Sequence, residues 1–350
     1  MRGEGFPKAV RRSSRRVDAA PHLHSLSLAM SLPSPARGSG RSRRVAVTGM
    51  GIVSPFGTGV PVNAEGFRVG RPRFRPVTLF DVSRQRVRVA AEVDLPATLP
   101  STRLGRADER RMERSARMLL LAAHEAWGQS RWAEHGGKGI PLVLGTTSGG
   151  MTHGEDYFRA AHRSPPARHQ QVTRMVHYQP QRQALDVMAA LGLGGPVTII
   201  ANACASGANA IGHAFQLVRS GRAPRVMAGG YDALCQLVFA GFDSLHALSP
   251  TRCRPFDAAR DGLALGEGAA VVCMESWEDA VARGVPILGE IAGYGVATDV
   301  HHLTQPEPHG TAALAAMRAA CTEAGIVPSD VGYVNAHGTG TPAKIGRAHV

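Results

Sequence analysis

The chain is predicted to be an α/β protein whose parallel strands are covered by helices on both faces. Two observations lead there. Short apolar, β-branched runs alternate with longer stretches of helical periodicity. That alternation starts a second time near residue 286, which implies two related halves. A third observation says where chemistry belongs: Cys204 stands where a strand-like run, Pro196-Val-Thr-Ile-Ile-Ala-Asn-Ala203, meets a small-residue helical segment, Ala205–Val218.

The elements follow in order. Val45–Val47 reads as the opening strand and Asp108–Trp127 as one amphipathic helix. Ile140–Gly145 is expected as a strand and Gln183–Leu191 as a helix. Gly192-Leu-Gly-Gly-Pro196 precedes a strand instead of following one, so it reads as a turn and not as a dinucleotide site. The strand before Cys204 and its helix come next, then strands at Arg225–Ala228 and Ala270–Met274. The second pass opens with a strand in Pro286–Tyr294, continues with a helix over Thr311–Ala324, and reaches a strand over Val331–Asn335. Strands separated by helices imply parallel pairing, because a parallel neighbour needs a crossover. The expected organisation is a basic leader over 1–43, a first half over 44–285 carrying Cys204, the start of a second half over 286–343, and a tail over 344–350.

Length and composition suit one large domain or two merged ones: 350 residues, 43% hydrophobic, 41 glycines. No uninterrupted apolar run of about 18 residues occurs, so no membrane span is expected. Five cysteines, at 204, 235, 253, 273 and 321, lie far apart with no CxxC. That spacing argues against a disulfide framework or a zinc ribbon and fits a reducing, cytoplasmic setting. The formal net charge of +13 is unevenly placed: residues 1–44 carry ten basic and two acidic side chains, leaving +5 for the other 306. The Arg/Ser/Pro-rich leader reads as a disordered tail, an organelle transit peptide, or an over-long start with Met30 as the first residue. Only Phe6 lies among its arginines and the body has no nucleic-acid motif, so no nucleic-acid partner is expected.

At Cys204 the physical case is local. A buried strand delivers the thiol to a fixed point, and the unpaired N–H groups and positive dipole end of the next helix favour thiolate. Small residues at 205–208 let a substrate approach the backbone. A second chemical segment is Gly332-Tyr-Val-Asn-Ala-His-Gly-Thr-Gly-Thr-Pro342, an apolar start leading to His337 and a hydroxyl-bearing turn.

Together with Asn202-Ala-Cys-Ala-Ser-Gly207 and Arg254-Pro-Phe-Asp-Ala-Ala-Arg-Asp-Gly-Leu-Ala-Leu-Gly-Glu-Gly-Ala269, that segment resembles the β-ketoacyl-acyl-carrier-protein synthases of the thiolase superfamily. Val45–Pro55 resembles the family's opening strand and turn, and Asp299–Thr304 a loop near its active site; the likeness runs from about Arg44 to Thr341. It implies a five-layered αβαβα thiolase-like fold built from two related halves, the second incomplete in this chain. It also implies an enzyme that condenses an acyl group with malonyl-acyl carrier protein in fatty-acid or polyketide synthesis. Cys204 is then the acyl acceptor, its own N–H half of the oxyanion hole. His337 is a donor during malonyl decarboxylation, and Thr339 and Thr341 bind the pantetheine amide. The family has a further catalytic histidine, a lysine and a Gly/Phe-rich loop after this point, so the chain is expected to be C-terminally truncated and inactive on its own. Residues 344–350 leave the pattern and resemble translated adapter sequence, so they are expected to be non-native. The implied partners are an acyl carrier protein and a second copy of the chain, paired through the strand before Cys204. No cofactor is implied beyond the carrier's own phosphopantetheine. The alternatives are a non-catalytic partner subunit, against which Cys204 speaks, and a coenzyme A-dependent thiolase, against which His337 speaks.

Weaker candidates have plain readings as well. Ser148, in Gly145-Thr-Thr-Ser-Gly-Gly-Met151, aligns with a position that gates the acyl pocket, and a loop serine commonly bonds within its own turn. His301 and His302 belong near the site or to solvent. His213 is expected to pack in its helix. His22 and His24 lack further ligands, so no metal site is expected.

Overall fold

The computed structural model describes residues 42–164, 172–302 and 306–342. The elements in chain order are β1 (Val45–Ser54), β2 (Gly57–Thr58), α1 (Val60–Val69), β3 (Arg75–Pro76), β4 (Val89–Ala90), α2 (Arg106–Arg111), α3 (Arg114–Ser130), β5 (Leu142–Gly145) and α4 (Met151–Arg163). Then come α5 (Val172–Tyr178), α6 (Pro180–Leu191), β6 (Val197–Ile200), α7 (Ser206–Arg219), β7 (Arg225–Asp232), α8 (Gln236–Ser244), β8 (Gly268–Ser276), α9 (Trp277–Ala282), β9 (Gly289–Ile291) and α10 (Thr311–Ala324).

The main sheet runs β1–β8–β7–β5–β6, with β2 and β9 both along the outer side of β1. Parallel pairing holds for β7–β5–β6, but β8 runs antiparallel to both β1 and β7. The expectation of a parallel sheet is therefore corrected to a mixed one. Strand direction left no mark on composition because both faces are covered by helices whichever way a strand runs. Alternation shows this in the packing. Leu142, Leu144, Met227 and Val271 join the core beneath α3 and α6, whereas Val143, Val226, Ala228 and Met274 join the core beneath α7. Met118, Leu119 and Leu120 of α3 are fully buried, each contributing about 2 kcal/mol.

Three further expectations change. The single helix over Asp108–Trp127 is broken at Met112, whose ψ of 131° leaves the helical region. Glu113 then serves as the N-cap of α3, its side chain accepting from Ser115 N, and that cap replaces one turn of continuous helix. His213 is exposed on α7 and does not pack in the core. Val331–Asn335 forms no strand: no described strand pairs with it, and Val331, Tyr333 and Val334 stay exposed. Of the second pass, α10 forms over the expected residues and lies near α7, where Gln216 donates to Glu323 at 2.8 Å. Its first strand is only β9, which adds to β1 of the same sheet. Gly192 ends α6 in the left-handed region, as a turn glycine does.

No helix among the described residues is long and apolar enough to cross a membrane. Residues 1–41, 165–171, 303–305 and 343–350, with His22, His24, Thr304 and the tail over 344–350, lie outside the described residues.

Candidate active site

The strands β1, β5, β6 and β7 bring their carboxyl ends to one side of the sheet, where a cavity of about 400 Å³ opens. Clefts of this kind form where the strand ends leave room between their following loops. Cys204 is in its wall, with Ser54, Thr146, Thr147, Gly207 and Asp232.

Local conformation explains how the thiol is presented. β6 ends at Ile200, and a 3-10 turn over Ala203–Ala205 leads into α7. Ala203 has φ 57°, a left-handed backbone that a residue with a Cβ adopts only when its surroundings impose it. Ser206 supplies part of that constraint: its buried hydroxyl accepts from Asn202 N at 2.9 Å and donates to Ala203 O at 2.6 Å. The turn is thereby closed on itself and Cys204 projects outward. On the other side Gly145 sits under α7 so closely that a Cβ there would meet Ser206 O at 2.2 Å.

All five cysteines are described, and only Cys204 is exposed. Burial pushes the Cys235 thiol up to about 11 and the Cys273 thiol up to about 12, so both stay protonated near neutrality. Burial likewise raises the Tyr231 phenol, which donates to Gln183 Oε1 at 2.7 Å beside the cavity.

The other candidates fall in separate places. Ser148 is next to the lining residue Thr147 and is tied to Asp232, its N donating to Oδ1 at 2.9 Å. Thr339 and Thr341 face each other at 2.9 Å between hydroxyls. Their turn docks on the Arg254–Gly262 loop, where Gly262 N donates to Gly340 O at 3.1 Å and Arg260 Nε to Thr341 O at 3.3 Å. His337 is exposed and is not among the residues lining the cavity with Cys204. The Asp299 carboxylate accepts from His301 N and Glu307 N, closing its own loop, and neither His301 nor His302 lines the cavity. No group of three potential metal ligands occurs among the described residues.

Two carboxylates escaped the sequence reading. Asp232 ends the apolar run of β7 at the cavity. Glu267, fully buried, takes Val93 N and Leu234 N and pairs with Arg114, fixing the strand entry between the cavity residues Gly266 and Gly268. A lone carboxylate closing an apolar strand was the available signal for Asp232.

Two family models match: the N-terminal domain of β-ketoacyl synthase over residues 42–280 and its C-terminal domain over residues 288–344. Nodulation protein E of Rhizobium meliloti (strain 1021) is 37% identical over 306 residues, 86% of this chain and 74% of that protein. A 3-oxoacyl-acyl-carrier-protein synthase 2 of Synechocystis sp. is 37% identical over 313 residues, again 86% and 74%. Among solved structures, the ishigamide ketosynthase/chain length factor superposes with a TM-score of 0.81 at 30% identity, covering 87% of this chain and 75% of that one. A type II PKS acyl-carrier protein in complex with its ketosynthase gives 0.76 at 26% identity, covering 87% and 76%.

Proposed function

The chain belongs to the β-ketoacyl synthase family, with the thiolase-like fold of that family, and we propose that Cys204 is the acyl acceptor of its condensing reaction. The enzyme is an acyltransferase that joins an acyl group to malonyl-acyl carrier protein, giving 3-oxoacyl-carrier in fatty-acid or polyketide synthesis.

The Cys204 thiolate attacks the thioester carbonyl of an acyl-carrier, the carrier's pantetheine thiol leaves, and the acyl group stays on Cys204. Malonyl-carrier then loses CO₂, and the resulting carbanion attacks the Cys204 thioester. A C–C bond forms, the bond from sulfur to the acyl carbon breaks, and the thiolate returns. Negative charge develops on oxygen in both steps, and fixed donors lower its energy. The Cys204 N–H serves the acyl carbonyl and His337 the malonyl thioester, while Thr339 and Thr341 hydrogen-bond the pantetheine amide. No group beyond the carrier's phosphopantetheine is called on. The partners are an acidic acyl carrier protein and a second copy of the chain in the cytoplasm. β6, the half-buried edge strand of the sheet, supports the second copy, since its outer hydrogen-bonding side has no neighbour among the described residues.

One observation carries the reading: the only exposed thiol of the five lies in the wall of a cavity at the strand ends, on a turn built of small residues. Incubation with acyl-carrier followed by peptide mass mapping tests it. The acyl mass is expected on Cys204 alone, and a label on Cys253 or Cys321 overturns the assignment.

A further inference from the structure

We infer that Asp232 is a positioning residue for the acyl-binding wall, acting through the turn Thr146–Gly150; this rests on the reading that the cavity takes the acyl chain.

β5 and β7 lie side by side in parallel with Gly145 opposite Gly230, so both chains reach the cavity together. β5 continues into the turn, and β7 ends on Asp232. Its Oδ1 accepts from Thr146 Oγ1 at 2.9 Å, Thr147 N at 3.0 Å, Ser148 N at 2.9 Å and Gly149 N at 3.3 Å. The Ser148 hydroxyl is 3.3 Å from the same oxygen, and Thr147 N is 3.1 Å from Oδ2. Two successive backbone N–H groups, of Thr147 and Ser148, therefore converge on one carboxylate oxygen, and Gly149 N, which donates to Thr146 Oγ1 at 2.8 Å, reaches the same oxygen at 3.3 Å. Parallel N–H dipoles repel one another, and a negative charge at their focus removes that repulsion.

The turn has no second place to rest. Gly149 is left-handed at φ 58°. A Cβ on Gly150 would fall 2.0 Å from Gln183 Nε2 and 2.7 Å from Glu113 Oε2, two side chains each 1% exposed. The segment is held between the Asp232 charge on one side and buried polar groups on the other. Thr146 and Thr147, which line the cavity, stand where Asp232 puts them. The wall that a neutral hydrocarbon chain would touch is thus set by an anion in the same cavity whose hydrogen bonds are spent on the turn.

Acylation of Cys204 in the full chain is measured with a short and a long acyl-carrier thioester, with Tm alongside, for the unaltered protein, Asp232→Asn and Thr146→Val. Asp232→Asn keeps the shape and loses the charge. Its long-to-short ratio of kcat/KM is expected to shift roughly tenfold, the difference between a charge-assisted and a neutral set of hydrogen bonds. Thr146→Val removes one donor to Asp232 together with the acceptor of Gly149 N, leaves the carboxylate in place, and is expected to shift the ratio in the same direction by less. An unchanged ratio in Thr146→Val, or in a folded Asp232→Asn whatever its Tm, overturns the inference and leaves Asp232 a fold-stabilising residue. If the unaltered chain is not acylated at Cys204 by either thioester, the proposed function falls and this inference with it.

Discussion

Cys204 and His337 are approached by segments of the same kind, and the molecule treats them differently. Pro196–Ala203 and Val331–Asn335 are both apolar runs that lead into small-residue turns. The first becomes β6 by pairing with β5 from Leu142 opposite Val197 to Gly145 opposite Ile200. The second forms no strand, and Tyr333 is 83% exposed. Apolar, β-branched composition makes a run fit to pair; a neighbour in open register makes it a strand. The contrast also divides the chemistry, since Cys204 is held by a closed turn on a sheet and His337 precedes a turn that docks on the Arg254–Gly262 loop.

Removing the proposed nucleophile has the largest expected effect. In a version extended with a family member's C-terminal segment, Cys204→Ser should lower condensation by about three orders of magnitude or more. Its stability should change by less than about 0.5 kcal/mol, because the side chain is exposed. Intact-mass acylation and a urea melt give both numbers, and turnover near the unaltered rate would move the chemistry away from β6.

His337→Ala comes next. In the same extended version, condensation should drop by roughly 10²–10³-fold, as for one lost oxyanion donor, while acylation of Cys204 persists. Single-turnover loading and steady-state condensation separate the two. Loss of both would mean that the two segments act as one structural unit, breaking the comparison.

A smaller effect sharpens it on the stability side. Ile199 of β6 is packed against the core under α3, so Ile199→Ala should cost about 2 kcal/mol. Tyr333→Ala should cost less than about 0.5 kcal/mol. Equal losses in urea titrations would show that the His337 segment is as well packed as β6.

The smallest effect is pH-dependent. Cys235 and Cys273 have thiols raised above their ordinary value near 9 by burial, to about 11 and about 12. A raised pKa means that the folded chain keeps protons the unfolded chain releases. The resulting stability is complete below pH 9 and is lost as pH climbs from 9 through 12. Iodoacetamide at neutral pH should modify Cys204 first and the two buried thiols only on unfolding. Early labelling of Cys273 would contradict its burial.

What could be read from the sequence was what is local. The Cys204 junction and α10 are specified by neighbours a few residues away, and Gly310 and Gly325 cap α10 in the left-handed region. The direction of β8, by contrast, depends on which strands flank it, and both sheet faces looked alike in composition. Asp232 could not be assigned from its own neighbourhood because its partners lie 83 to 86 residues earlier in the chain. The break at Met112 turned on a single side chain: Glu113 is a good helix former by propensity and here a cap by contact. His213 misled because a histidine among apolar residues says nothing about which face of the helix it occupies.

Gly145 bears on redesign of the pocket. Since a Cβ there would sit 2.2 Å from Ser206 O, any larger residue must push α7, and the turn bearing Cys204 moves with it. A mutagenesis library aimed at new acyl substrates therefore has an uneven alphabet. Position 145 admits one letter, whereas Thr147, an exposed residue of the cavity lining, can be varied widely without disturbing Cys204. The evolvable part of this pocket is its rim, and its floor is fixed by an atom that is not there.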